Sequence, residues 1–379
     1  MNIYLDNAAT TKLSDDHINY LSKVMKDCYG NPNSHHSVGD KARVLVEKTR
    51  NLVADFIGAD SEEIIFTPSG SAANNLGILG YINNHPSDVI YTLFSPIAHK
   101  SIIKCCENIK FSIPLFVDAN GMITLESLEL IIKIANKIGH KCFVVIDYAN
   151  SEIGTIQDVK KIIDIAHKYG CLVYLDCTAS LPSIKMDVKE LDVDMIGFSG
   201  HKLGALKGIG VLYKKKEIGL SPLIYGAQEF GLVGGTLNVL AIASLGYALT
   251  NYNYPVHQSS SKRDYLLHNI TKTIDRCMLV GSIDDRLSNN LNMMFKGIES
   301  SRLIQMLDNC GIQVSSGSAC NSGTPLPSYV LKAIGLSDDD ARCCIRISLS
   351  GEETYEELDY VVNMLKSCID VIRNGVLYE

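Results

Sequence analysis

The feature that most constrains this chain is a set of short segments that are apolar at nearly every position: Ile64-Ile65-Phe66, Cys142 to Ile146, Leu172 to Leu175 and Met195 to Phe198. A strand with one wet face alternates apolar and polar residues. A strand that is apolar throughout is covered on both faces, as when helices pack above and below a mostly parallel sheet. Between these segments lie stretches with helical spacing. The first carries Ala42, Leu45, Val46, Thr49, Val53 and Phe56 and stops near Gly58. Further units follow in alternation: a turn at Pro68 to Ser71, a helix over Ala72 to Tyr81, a strand at Val89 to Leu93, helices over Leu128 to Ile138 and Val159 to Tyr169, and a strand at Ile209 to Tyr213. The alternation predicts an α/β fold.

The 379 residues suffice for a large core and a smaller one. From about Tyr254 the pattern changes, with a polar stretch opening a helix at His257 and a strand at Leu291 to Phe295. A helix over Ser300 to Asn309, a strand at Ile312 to Ser315, a helix over Ser328 to Ile334 and a strand at Cys344 to Leu349 complete a smaller α+β region. The expected division is a large α/β domain over 15–255 and a small domain formed by 1–14 with 256–379. Val239 to Leu249, the most apolar stretch, is too short to span a bilayer and reads as a core helix.

A formal charge of -7 argues against general affinity for nucleic acid or acidic membranes. Met1 to Thr10 carries Asp6 and has no basic and apolar leader pattern, so a cytoplasmic location is expected. None of the 12 cysteines is spaced Cys-x-x-Cys, which predicts a reducing compartment and no metal centre. The adjacent pairs Cys105-Cys106 and Cys343-Cys344 read as small buried hydrophobes.

Open α/β sheets bind ligands beyond the carboxyl ends of their strands, and polar residues cluster there. Ser69-Gly70-Ser71 joins a strand to a helix, which suits a phosphate or a plain capped turn. Asp176 closes an apolar strand and fits either a pyridinium partner or a local cap or ion pair. Lys202 follows Ser199-Gly200-His201 at another strand end, where an amine can form a Schiff base, although most lysines are solvated. Cys320 lies among small polar residues, Ser315 to Gly323, and reads as a nucleophile or an inert thiol. Arg346 interrupts an apolar strand, suited to a carboxylate ligand or to a structural ion pair.

Taken in order, these motifs resemble the cysteine desulfurases of the class V aminotransferase superfamily. The likeness extends over nearly the whole chain: Tyr4-Leu5-Asp6-Asn7-Ala8-Ala9-Thr10-Thr11, Tyr29 to His35, His99, Asn150-Ser151-Glu152-Ile153-Gly154, Asp176, Ser199 to Lys202, Gly235-Thr236-Leu237-Asn238, Ser315 to Cys320 and Arg346-Ile347-Ser348. The resemblance implies the fold type I of pyridoxal phosphate-dependent enzymes, with a mostly parallel seven-stranded sheet. It implies that Lys202 anchors pyridoxal 5'-phosphate and removes the substrate α-proton, that Asp176 pairs with the ring nitrogen and that His99 stacks on the ring. Gly70, Ser71, Ser199 and His201 would hold the phosphate, with Thr236 reaching in from the second subunit of a homodimer. Asn150, Arg346 and Asn7 would bind L-cysteine. Cys320 would take its sulfur as a persulfide, leaving alanine, and pass it to an acceptor protein.

Some positions depart from the family pattern. Ala72 stands where the phosphate turn usually has an acid, Ala179 where a glutamine usually meets the cofactor's phenolic oxygen, Val233 where arginine is normal and Leu237 where glutamate is common. The competing expectations are a selenocysteine lyase or other β-elimination enzyme, and a non-catalytic scaffold. The sulfur acceptor stays open among iron–sulfur assembly, tRNA thiolation, DNA phosphorothioation and a dedicated cluster-bearing partner.

Overall fold

The computed structural model describes residues 2–317 and 327–374. Its strands are β1 (Ile3–Tyr4), β2 (Ile64–Thr67), β3 (Ile90–Phe94), β4 (Ser112–Pro114), β5 (Lys141–Asp147), β6 (Leu172–Asp176), β7 (Met195–Ser199), β8 (Gly210–Lys214), β9 (Cys277–Leu279), β10 (Asn290–Phe295), β11 (Ile312–Gln313) and β12 (Cys344–Ser348). A seven-stranded sheet has the order β2-β8-β7-β6-β5-β3-β4. Only β8 runs antiparallel to its neighbours in it. This is the mostly parallel α/β sheet that the apolar segments require.

Four helices lead the chain into and around this sheet: α1 (Asp15–Asp27), α2 (Ser37–Ile57), α3 (Gly70–Asn84) and α4 (Lys100–Glu107). The Ser14 hydroxyl caps α1 by accepting from His17 N, and Gly58 ends α2 in the left-handed conformation that L side chains disfavour. Phe143, Val145 and Tyr174 pack beneath α3 and α4 with Ala73, Leu76 and Ile102. The alternate residues Val144, Ile146, Val173 and Leu175 pack on the opposite face with Val46 and Val53 of α2. Each such side chain contributes about 1.5–3 kcal/mol on burial, so neither face of these strands tolerates water.

A second core surrounds the antiparallel sheet β12-β10-β9. It draws on helices Val256–Thr273, Ser300–Asn309 and Tyr355–Asn374, and on Ile3 and Leu5 from the amino end. From there residues 6–11 cross to the first sheet, where Thr11 N donates to the His201 carbonyl. A smaller cluster sets Ile97 and Ile153 against Val280, Met294, Val330 and Leu331. No helix among the described residues is long and apolar enough to cross a membrane.

The boundaries differ from expectation where side chains cap the backbone. α3 begins at Gly70, two residues early, because Ser69 accepts from Ala72 N. The strand expected to reach Ser315 is only Ile312–Gln313, with Ser315 making an isolated bridge to Arg346. α1, α4, β4, β9 and the helix Tyr355–Asn374 had not been expected. The last buries Leu358, Val361, Val362, Leu365 and Ile369, a spacing that the sequence does display.

Candidate active site

A cavity of about 1070 Å³ opens where β5, β6 and β7 end, and residues from the second core form its far wall. It is lined by Asn7, Gly70, Ser71, His99, Asn150, Asp176, Ser199, His201, Lys202 and Arg346. Ten expected site residues, remote in sequence, therefore share one space. Thr236 does not line it: within this chain it is exposed, beside Val24, Met25 and Tyr29. Cys320 lies outside the described residues.

One end of the cavity is set by the first turn of α3, whose N–H groups favour an anion. Close backbone packing puts this turn beside Ser199: a Cβ on Gly210 would collide with the Ser69 carbonyl. His201 Nδ1 lies 3.1 Å from Thr10 Oγ1. Burial, together with the charges of Lys202 and Lys207, lowers its pKa to about 4. His201 is therefore neutral near pH 7 and can offer a hydrogen bond without a charge. The Lys202 amine donates to the Ala9 carbonyl at 2.6 Å and to the Ala8 carbonyl, so the amino-terminal crossing helps to orient it.

The opposite, acidic end carries Asp176, held by two donors: Asn74 Nδ2 at 2.7 Å and Thr178 N at 2.9 Å. Asn74 is itself fixed by the buried Tyr174 hydroxyl at 2.7 Å and also donates to Ser101 Oγ at 2.9 Å. Ser101 Oγ lies 2.7 Å from His99 Nδ1, which also accepts from Ser101 N. The chain Asp176–Asn74–Ser101–His99 thereby puts the His99 proton on Nε2. Next to Asp176 stands Asp147, fully buried, with neither oxygen partnered among the described residues. Burial pushes its carboxyl up to about 6, and the Asp176 charge adds to the rise.

On the far wall, Arg346 Nη2 pairs with Asp6 Oδ1 at 2.7 Å and Nη1 donates to the Ser151 carbonyl at 3.3 Å, while Nε has no partner among the described residues. The structural ion pair thus holds a guanidinium that also lines the cavity, its Nε buried. Asn150 is committed to its own turn: Nδ2 donates to the Ile97 carbonyl and Oδ1 accepts from Glu152 N and Ile153 N, leaving one amide hydrogen. Asn7 Nδ2 donates to the Tyr4 and Ser348 carbonyls and so ties the amino-terminal crossing to β12. Glu152, also fully buried, packs so closely on Gly317 that no side chain could stand there. Burial pushes Glu152 up to about 7, against the pull of Ser328 and Arg346.

Sequence reasoning missed Asn74, Ser101, Asp147 and Glu152 in this arrangement. Asp147 bears the same mark as Asp176, an acid closing an apolar strand; the strand had been ended one residue short, at Ile146. Asn74 is a lone amide on the buried face of an otherwise small and apolar helix.

These residues fit pyridoxal phosphate. One end of the cavity favours an anion, the other presents buried carboxylates that lack a full set of donors, and an amine lines the space with them. Residues 3–361 match the class V aminotransferase family. The chain is 33% identical over 386 residues to the cysteine desulfurase IscS of Dictyoglomus turgidum, covering 100% of this chain and 97% of that protein. Among solved structures, a NifS-like protein matches with a TM-score of 0.88 at 30% identity, covering 98% of this chain and 100% of its own. The structure titled SspA in complex with cysteine matches with a TM-score of 0.81 at 30% identity, covering 93% and 100%.

Proposed function

The chain belongs to the class V aminotransferase family, and from that premise we propose that it works as a cysteine desulfurase through Lys202, Asp176, His99, Arg346 and Cys320. The enzyme is pyridoxal phosphate-dependent and takes sulfur from L-cysteine. The observation that carries the assignment of roles is the single cavity that gathers the amino end of α3, Lys202, Asp176, His99 and Arg346.

When bound, the cofactor supplies a protonated pyridine ring that draws electrons from the substrate's α-carbon. Lys202 holds the cofactor covalently through Nζ, and the same nitrogen takes the proton from the substrate Cα. Gly70, Ser71, Ser199 and His201 bind its phosphate by hydrogen bonds, at an end that already favours an anion. Asp176 holds the proton on the ring nitrogen, and Asn74 keeps that carboxylate aimed. His99 presents Nε2–H to the cavity.

Arg346, which lines the cavity, receives the substrate carboxylate on its guanidinium. Asn150 lines the same space, and Asn7 holds the adjoining crossing in place. Cys320 takes the sulfur. The substrate's carbon–sulfur bond breaks, a sulfur–sulfur bond forms on Cys320, and the displaced thiol hydrogen ends on the alanine methyl. Atoms and electrons balance with no external oxidant. A sulfur-acceptor protein then takes the terminal sulfur.

We read the active form as a homodimer. Thr236 is exposed in company with Ile224, Tyr225 and Phe230, at 67%, 86% and 63% exposure, an apolar surface suited to a second copy. The buried pair Arg50–Glu229 pins this loop to β2, with both contacts at 2.8 Å and Phe66 N donating to the same carboxylate.

Incubating the protein with pyridoxal phosphate and L-cysteine under a reductant tests the proposal. It predicts alanine and sulfide in equal amounts, and neither from Lys202→Ala. Bound cofactor with neither product formed would sink it.

A further inference from the structure

β5 and β6 are parallel neighbours in register, and each ends on an aspartate, Asp147 beside Asp176. In-register residues on adjacent strands point to the same face about 4.8 Å apart. Both line the cavity. Below them on that face lie Phe143, Val145 and Tyr174, so the two acids crown an apolar wall.

Their surroundings differ. Asp176 accepts from Asn74 and Thr178 N. Asp147 is 5% exposed and has no hydrogen-bond partner for either oxygen among the described residues. Ser95, from the turn after β3, and Asn150, from the turn after β5, are polar neighbours that pull its carboxyl down without a well-formed hydrogen bond, and Asp176 is the charged group that faces it and pushes it up. The Ser95 hydroxyl is likewise without a partner there.

A buried carboxyl with no well-formed hydrogen bond is costly, and a second carboxyl alongside opposes the ionisation of both unless a cation joins them. The pair is therefore arranged for a cationic ligand group. A metal would need further ligands, and no group of three or more His, Cys, Asp or Glu able to hold one occurs among the described residues. We propose that Asp147 is a second acid for the cofactor's ring nitrogen, making the ring end a two-carboxylate clamp on one N–H⁺ instead of a single ion pair.

This inference rests on the cofactor reading above. In the cofactor-free protein the Asp176 charge opposes ionisation of Asp147. Entry of the protonated ring offsets that opposition and leaves both carboxylates facing one cation. The ring then keeps its own proton to higher pH than a single carboxylate would allow.

The test compares wild type with Asp147→Asn, and with Asp147→Ser as a second neutral variant should the first fail to fold. Three readouts are made at pH 8: affinity for pyridoxal phosphate by absorbance titration, the ring-nitrogen shift of ¹⁵N-labelled cofactor, and thermal stability of the cofactor-free protein. Affinity should fall about 10- to 100-fold in the variants, the ring nitrogen should lose its proton at lower pH, and the cofactor-free variants should melt higher than wild type. A residue that merely supports the fold would lower melting instead. Unchanged affinity and an unchanged nitrogen titration would overturn the clamp while leaving the cofactor reading intact. Failure of wild type itself to bind the cofactor would overturn both.

Discussion

The two ends of the cavity are built in different ways. The acidic end rises from consecutive strand ends of one sheet and the helices above it: Asp147, Asp176, Asn74, Ser101 and His99. Most of its groups are tied to one another by hydrogen bonds of 2.7 to 2.9 Å. The far wall is assembled from segments that meet only in the folded chain: Asp6, Ser151, Glu152, Gly317 and Arg346. There, Arg346 Nε and Glu152 Oε1 have no partner among the described residues. The Asp176–Asn74–Ser101–His99 network is tied within itself and suits a held cofactor, while Asp147 beside it is left to take a further donor. A guanidinium that lines the cavity and a carboxyl poised to titrate suit a substrate that must enter and leave.

This contrast can be broken or sharpened by substitution. The largest expected effect is on Lys202, which serves both ends. Lys202→Ala should lower cysteine turnover by about 10³-fold or more, measured as alanine formed. Next is Asp176→Asn, which removes the charge facing the ring. A loss of about 3–5 kcal/mol is expected, seen as a fall in kcat together with weaker cofactor binding. An effect confined to KM would place Asp176 in the wrong half of the cavity.

Glu152 tests the other half through pH. Its folded pKa of about 7 lies above the ordinary 4.5, so the folded chain holds that proton more tightly than the unfolded chain does. The resulting stability is fully present below 4.5 and is lost as pH rises through about 7. Denaturation of Glu152→Gln should match wild type near pH 4.5 and exceed it at pH 8, by on the order of 3 kcal/mol. Equal curves at both pH values would remove Glu152 as a strained group.

Arg346→Ala should cost about 1.5–3 kcal/mol in kcat/KM, mostly through KM, with the substrate-free cofactor spectrum unchanged. Smallest is Asn74→Ala, which leaves Asp176 with one donor fewer. A loss of about 1 kcal/mol in kcat is expected, with KM for cysteine unmoved. If Asn74→Ala altered KM and Arg346→Ala altered the spectrum, the two ends would not be separate devices.

The same contrast explains what could be read in advance. Lys202, Asp176 and the Ser69–Ser71 turn were legible because parallel-sheet topology places ligand groups just past strand ends, and apolar segments mark those ends. Asp147 obeys the same rule and escaped only because its strand was ended at Ile146. Arg346 stood out as a charge inside an apolar strand, but its pairing with Asp6 depends on a contact 340 residues apart in sequence. Asn150 reads as a substrate ligand by family likeness, yet most of its amide is spent on its own turn, a commitment that only backbone geometry reveals. Glu152 and Gly317 carry no local signal of each other.

The central claim is that this cavity serves sulfur transfer to Cys320. Its most direct test is the intact mass of cofactor-loaded protein after a single turnover of L-cysteine without reductant, paired with an alanine count. A gain of one sulfur atom per chain, matched by one alanine and absent from Cys320→Ala, is the predicted result. Sulfide with pyruvate, no mass gain and undiminished turnover in Cys320→Ala would contradict it and indicate simple elimination.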